Sequence, residues 1–183
     1  EEIKLKDLPK ALQPYYALDT VRNKNVSSDD KMNLCFNQTN DCFIYSVGNK
    51  FKIYYTDPFK LNFDREFEYD IDKIKIFYKT NMIFFIGKTN KNVLCVWDDL
   101  NNKIAAKITQ NEKIIDFDAN RKFMALITCK YINIYDFNTI TLIRKIYSIY
   151  NPAGVYSISN NLISYPCDDI GTIAIIKFDD SAF

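Results

Sequence analysis

The sequence predicts an all-β protein built from repeated antiparallel sheets, and three observations carry that prediction. Short alternating or β-rich runs recur about every ten residues from Asn33 onward. Polar turns such as YKTN, GKTNKN, DDLNN and FNT separate them. The runs also fall into groups of similar internal order, so that Tyr54, Trp97, Tyr135 and Ile176 align at intervals of about 43, 38 and 41 residues. That period lies in the range of WD-type propeller repeats, in which one repeat is one four-stranded blade.

Taken in order, the first group reads LCF, CFIYSV and FKIYY, with Gly48 and Asn49 at the hairpin between its second and third runs. The second reads IKIFY, MIFFIG and VLCVW, and the third KIIDF, FMALIT and YINIYDF. VYSIS, NLISY and TIAIIKF form the fourth, which stops after its third strand at Phe178. A fourth strand is expected in the first three groups at FDREFEY, KIAAKIT and LIRKIYS. Stacked radially, such sheets bury both faces, which explains inner strands that are almost continuously apolar. Trp97 and its equivalents are expected to fill the gap to the next blade, and Asp98 and Asp136 to tighten the turn after the third strand. Asn pairs such as Asn101-Asn102 and Asn160-Asn161 stand where glycine would serve, because Asn tolerates left-handed turns.

The expected organisation is an N-terminal extension and linker over 1–31 and propeller blades over 32–183, divided at about 33–70, 71–110, 111–150 and a partial blade at 151–183. The extension holds Pro9, Pro14, the apolar cluster LPKALQPYYAL and the polar run RNKNVSSDDK, and reads as a short helix followed by a flexible connection. About three and a half blades cannot close a ring, since closed propellers have about four to eight. The chain is therefore expected to be part of a longer one or to leave two open edges, which invite pairing with another chain.

Composition excludes several function classes. The 183 residues carry 24 Lys plus Arg and 23 Asp plus Glu, a net charge of +1, so no whole-molecule field draws nucleic acid. About 20 of the 24 basic residues are Lys and Asn is abundant, as codon bias in an AT-rich genome would produce. No apolar run approaches the roughly 20 residues that span a bilayer, and EEIKLKDLPK has no signal-peptide pattern, which leads to a cytosolic expectation. With no His in the chain, Ser-His-Asp and Cys-His mechanisms have no seat here. The four Gly form no phosphate loop, so no nucleotide cofactor is expected. The five Cys are scattered through apolar runs and read as buried free thiols, with no zinc spacing. Carboxylates around a central channel could serve a propeller hydrolase, and Asp116, Asp118 and Asp136 are the positions to nominate. Strand ends and turns explain them better, and no catalytic or metal residue is assigned.

The stretch NQTNDCFIYSVGNKFKIYYTDPFK, with its Asn-Gln, Cys-Phe step, Gly turn and closing Asp-Pro, resembles the first blade of the PROPPIN family, the phosphoinositide-binding β-propellers that include the WIPI proteins. The likeness continues through VLCVWDDLNNK (93–103), YINIYDFNTITLIRKI (131–146), the Asn-Pro-x-Gly of 151–154, and the Tyr165-Pro166 step followed by GTIAIIKF. This resemblance implies a WD40-like β-propeller, seven-bladed when complete. It implies a non-enzymatic adaptor of autophagy and endolysosomal traffic, cytoplasmic and recruited peripherally to endosomal, vacuolar or autophagic membranes. The implied ligands are phosphatidylinositol 3-phosphate or the 3,5-bisphosphate, and the implied partners are autophagy scaffold or lipid-transfer proteins.

In the family an Arg-Arg fork in a Phe-Arg-Arg-Gly motif grips the phosphorylated headgroup. That string does not occur here; the nearest, Phe63-Asp64-Arg65-Glu66, stands in the wrong blade. The motif belongs later than the fourth repeat, so no lipid-binding residue is assigned and the chain alone is expected to bind phosphoinositide weakly or not at all. The blades present correspond to those that contact protein partners. The candidate partner-binding residues are Lys88 and Lys91, in the turn between the second and third strands of the second blade, and Arg121 and Lys122, in the turn after DFDAN. A WD-repeat scaffold without lipid binding is the alternative.

Overall fold

A computed structural model describes residues 31–167, 169 and 171–178; the expected N-terminal extension lies, but for Lys31, outside the described residues. Among the described residues fifteen strands follow one another in four antiparallel sheets. The first sheet holds β1 (Met32–Phe36), β2 (Cys42–Val47), β3 (Lys50–Thr56) and β4 (Phe59–Glu66). The second holds β5 (Ile71–Ile76), β6 (Met82–Gly87), β7 (Val93–Asp98) and β8 (Lys103–Thr109). The third holds β9 (Asp116–Ala119), β10 (Phe123–Ile127), β11 (Tyr131–Asp136) and β12 (Leu142–Tyr147). The fourth has three strands: β13 (Ser157–Ile158), β14 (Leu162–Pro166) and β15 (Ile173–Lys177). Each sheet is a plain meander in chain order. Among the described residues no helix is long and apolar enough to cross a membrane.

The alternation of side chains along a strand explains the stacking. On β6, Ile83 and Phe85 join the core shared with Cys42, Ile44, Phe51 and Ile53 of the first sheet. Its intervening residues, Phe84 and Ile86, join the core shared with Phe117, Met124 and Leu126 of the third. The run FMALI of β10 is buried throughout for the same reason, with Phe123, Ala125 and Ile127 turned toward Ile163 and Tyr165 of the fourth sheet. Each such side chain contributes on the order of 1.5–3 kcal/mol by leaving water.

The first strands of the sheets converge and the fourth strands diverge into solvent. Cys35 of β1 feels the charges of Lys75 on β5 and of Asp116 and Asp118 on β9, and Tyr156, just before β13, bonds Asp116. By contrast β4, β8 and β12 are exposed along most of their length. Inner edges meeting at an axis and outer edges on a rim make these sheets the wedges of a partial β-propeller.

The repeat register is written into the backbone. The third-to-fourth strand pairing shifts at Ile53/Tyr54, at Val96/Trp97 and at Ile134/Tyr135, so a β-bulge recurs at the aligned aromatic. A second bond repeats in every sheet: the N–H of Thr56, Asp99, Phe137 and Phe178 donates to the carbonyl of Asp41, Asn81, Lys122 and Asn161.

Three particulars differ from the sequence expectation. Trp97 faces the preceding sheet rather than the next, edge-on to Phe67 with ring centroids 5.2 Å apart, because Val96 already occupies the forward face. The fourth strand of the first sheet begins at Phe59, not Phe63, since Asp57-Pro58 reverses the chain at once. Of the free cysteines only Cys42 is fully buried; Cys35, Cys95, Cys129 and Cys167 are half-buried.

Candidate partner-binding surface

Four of the turns are set by a local Asp or Asn side chain. Asp98 Oδ1 accepts the N–H groups of Leu100 (3.0 Å) and Asn101 (3.2 Å), and Asp136 Oδ1 accepts those of Asn138 (2.9 Å) and Thr139 (2.7 Å), as the turn reading expected. Bonds from Asn101 hold the Asp98 carboxyl below its usual range, and the Thr139 N–H does the same for Asp136. Asn37 Oδ1 caps the first turn of the first sheet by accepting from Asp41 and Cys42, and Asn120 Oδ1 repeats this in the third by accepting from Lys122 and Phe123.

The four candidate residues do not form one site. Lys88 and Lys91 lie between the second and third strands of their sheet, Arg121 and Lys122 between the first and second of theirs. In a stack of equally oriented meanders those turns stand at opposite ends of the strands, so the two pairs mark opposite faces. On the first face, the Lys91 ammonium lies 3.3 Å from Asp72, which also takes Lys31 at 3.1 Å. Lys88 stands 3.9 Å from Asp70 in a surface pair, and the Lys91 carbonyl accepts the Ile114 N–H. On the second face the Arg121 guanidinium stacks over Tyr78 at 5.2 Å, joining adjacent sheets. Sequence reading missed Gln38, which ties three sheets there: it accepts from the Tyr78 N–H and donates to the Ala119 carbonyl, both at 2.9 Å.

A charged knot fills the converging first strands. Asp116 meets Lys73 at 3.3 Å and Lys75 at 3.4 Å, and accepts the Tyr156 hydroxyl at 3.0 Å. Lys75 also reaches Asp118 at 3.9 Å. Burial alone would raise Asp116, yet the two lysines bring it below the ordinary carboxylate range; Asp118, with less compensation, is pushed up by burial. Burial beside Asp116 also raises the Tyr156 hydroxyl. Of the carboxylates nominated for hydrolysis, Asp116 and Asp118 face lysines and Asp136 stands apart in an outer turn. Among the described residues no three His, Cys, Asp or Glu are grouped to hold a metal. Lys73 and Lys75 in IDKIKI, and Asp116 and Asp118 in DFDA, stand two positions apart on their strands, which marks each pair as sharing a face but not the two pairs as meeting one another.

Repeated wedges, recurrent bulges and short turn faces define a partial WD40-like β-propeller. Comparison with curated proteins finds an SVP1-like protein 2 of Pichia angusta, 26% identical over 157 residues, 79% of this chain and 44% of that protein. An Autophagy-related protein 18 of Eremothecium gossypii is 24% identical over 140 residues, 72% of this chain and 26% of its own length. Among solved structures, Kluyveromyces lactis Hsv2 superposes with a TM-score of 0.71 at 25% identity, over 83% of this chain and 47% of that one. An Atg21 solved with the coiled coil of Atg16 shares the fold, with a TM-score of 0.67 at 23% identity, over 79% of this chain and 51% of that one. No family model matches the sequence. These relatives are PROPPINs, and the resemblance to that family holds over about 80% of the chain. The chain spans less than half the length of the curated relatives it matches.

Proposed function

We propose that the chain forms the partner-binding portion of a non-enzymatic phosphoinositide-effector adaptor in autophagy and endolysosomal traffic. The observation that carries the reading is its sequence similarity, over 72% of the chain, to proteins named for autophagy. A PROPPIN solved with the coiled coil of an autophagy protein supports partners of the scaffold class. On this reading the protein is cytoplasmic and is recruited to endosomal, vacuolar or autophagic membranes by phosphatidylinositol 3-phosphate or the 3,5-bisphosphate. The Arg-Arg fork for the headgroup is supplied outside these 183 residues, which contain no adjacent pair of arginines. Lys88, Lys91, Arg121 and Lys122 offer cations on the two turn faces to acidic segments of a partner.

Flotation of the complete gene product with liposomes tests the reading. Association with vesicles containing phosphatidylinositol 3-phosphate, and not with vesicles lacking it, is the expected result. Equal flotation with both, or with neither, overturns the lipid-effector reading in favour of a scaffold without lipid.

A further inference from the structure

The outer strand of the third sheet differs from its counterparts. On β12, Leu142 is 53% exposed, Ile143 37% and Tyr147 61%, an apolar content unusual for an edge that no other described strand pairs. Its cations are also uncompensated: among the described residues neither Arg144 nor Lys145 has an ion pair, and Lys145 rests on the Tyr131 ring at 3.8 Å. The first sheet neutralises the same region internally, with Lys50 paired to Glu66 at 3.3 Å, Lys52 to Asp64 at 3.1 Å and Arg65 to Asp99 at 3.0 Å. The outer strand of the second sheet carries Lys103 and Lys107 but has alanines where β12 has large residues.

We infer that β12 is a docking edge for an extended acidic peptide of a protein partner, which adds to the third sheet as a fifth strand. Edge carbonyl and N–H groups supply the ladder, and side chains on both faces of the new strand supply selectivity. Arg144 and Lys145 are consecutive and point to opposite faces, so the complementary segment carries two consecutive acidic residues flanked by apolar ones. Opposite-charge pairs across strands are favourable, and like charges directly opposite are not. A lipid surface fits less well, because the exposed apolar and basic side chains lie on both sides of the strand and cannot all enter one plane. The inference rests on the adaptor reading only in supposing a protein partner; its readout is peptide binding, which a failed flotation experiment leaves untouched.

The test is fluorescence polarisation of the protein with a labelled ten-residue peptide holding Asp-Glu at its centre and Val-Thr repeats on both sides. The acidic peptide is expected to bind, to weaken with added salt, and to slow amide exchange across 142–147. A Lys-Lys version of the peptide, and one N-methylated on alternate residues, are each expected to lose at least tenfold in affinity. R144E/K145E and the milder R144A/K145A, both at exposed positions and checked for an unchanged melting temperature, are expected to lose at least tenfold as well. Equal binding of the acidic and Lys-Lys peptides, undiminished binding by both double variants, or protection outside β12 overturns the inference. So does binding of anionic phosphatidylserine vesicles that the double variants abolish while the peptide stays unbound, which would make the edge a membrane contact.

Discussion

Lys75 on β5 and Asp116 on β9 meet at 3.4 Å where the second and third sheets converge, and that pair decides how the charges of the knot affect stability. Asp116 also holds Lys73, so Asp116→Asn takes the carboxylate from Lys73 and leaves Lys75 with Asp118, 3.9 Å away, and the Tyr156 hydroxyl. The expected loss is about 2 kcal/mol, as for removal of one partner from a partly buried charged network. Asp118→Asn is expected to act in the opposite direction. Burial raises its carboxyl, so its ionised form opposes folding at neutral pH, and the opposition is relieved as pH falls through the folded-state value. Chemical denaturation of the two variants at pH 7 checks this; a stability rank of Asp118→Asn below Asp116→Asn would refute it.

Acid sensitivity follows from the turn carboxylates. The Asn37 side chain, with smaller help from Thr39 and Lys79, holds the Asp41 carboxyl at about 2, and Asp98 and Asp136 are lowered by bonds to their own turns. Each is depressed in the folded state, so its stabilisation is fully present above the unfolded carboxylate value of about 3.9 and is lost as pH falls toward about 2. The melting temperature is therefore expected to drop below about pH 4, and Asp41→Asn to make that drop shallower. A decline that begins at pH 6 would point to other groups.

These two predictions also divide what the sequence made legible from what it did not. The sheets, the bulge-bearing aromatics Tyr54, Trp97 and Tyr135, and the capping of Asp98 and Asp136 follow from local periodicity and turn chemistry. The direction in which Trp97 faces did not, because alternation fixes only that Val96 and Trp97 differ, not which neighbour each meets. The knot of Lys73, Lys75, Asp116 and Tyr156 joins residues about 40 or more positions apart, and only the stacking of wedges brings them together. Lys88 and Arg121 were both visible as turn cations, yet their separation onto opposite faces needs the three-dimensional orientation of each turn.

A buried polar bridge links the second and third sheets. Asn133 Nδ2 donates to Gln110 Oε1 at 2.7 Å, and Gln110 Nε2 donates to the Tyr135 hydroxyl at 2.7 Å, all three residues being buried. Gln110→Leu strands the amide of Asn133 and the hydroxyl of Tyr135 and is expected to cost about 1–3 kcal/mol. Tyr135→Phe is expected to cost less in the Gln110→Leu background than alone, because its partner has already gone. Additive losses in a urea double-mutant cycle would show that the bridge contributes nothing as a unit.

Among the described residues, the first and fourth sheets present complementary exposed apolar faces. In every interior contact, the residue of the third strand just before the bulge faces forward and the bulge aromatic faces back, as Val96 and Trp97 do. By the same register the fourth sheet offers a forward face with Ile173 and Ile175, 67% and 63% exposed. The first sheet offers a backward face with Met32, Leu34 and Phe36, 54%, 61% and 51% exposed, beside the stacked rings of Phe43 and Tyr54. A forward face meeting a backward face is a head-to-tail contact, which closes into a ring or extends into a chain. The 183-residue chain expressed by itself is therefore expected to run in light scattering well above its 21.5 kDa. Leu34→Asp or Ile175→Asp, each placing a carboxylate at the centre of one face, is expected to shift it toward the monomer. A monomeric parent chain at about 50 μM, or association undiminished by both substitutions, would show that these faces do not recognise one another.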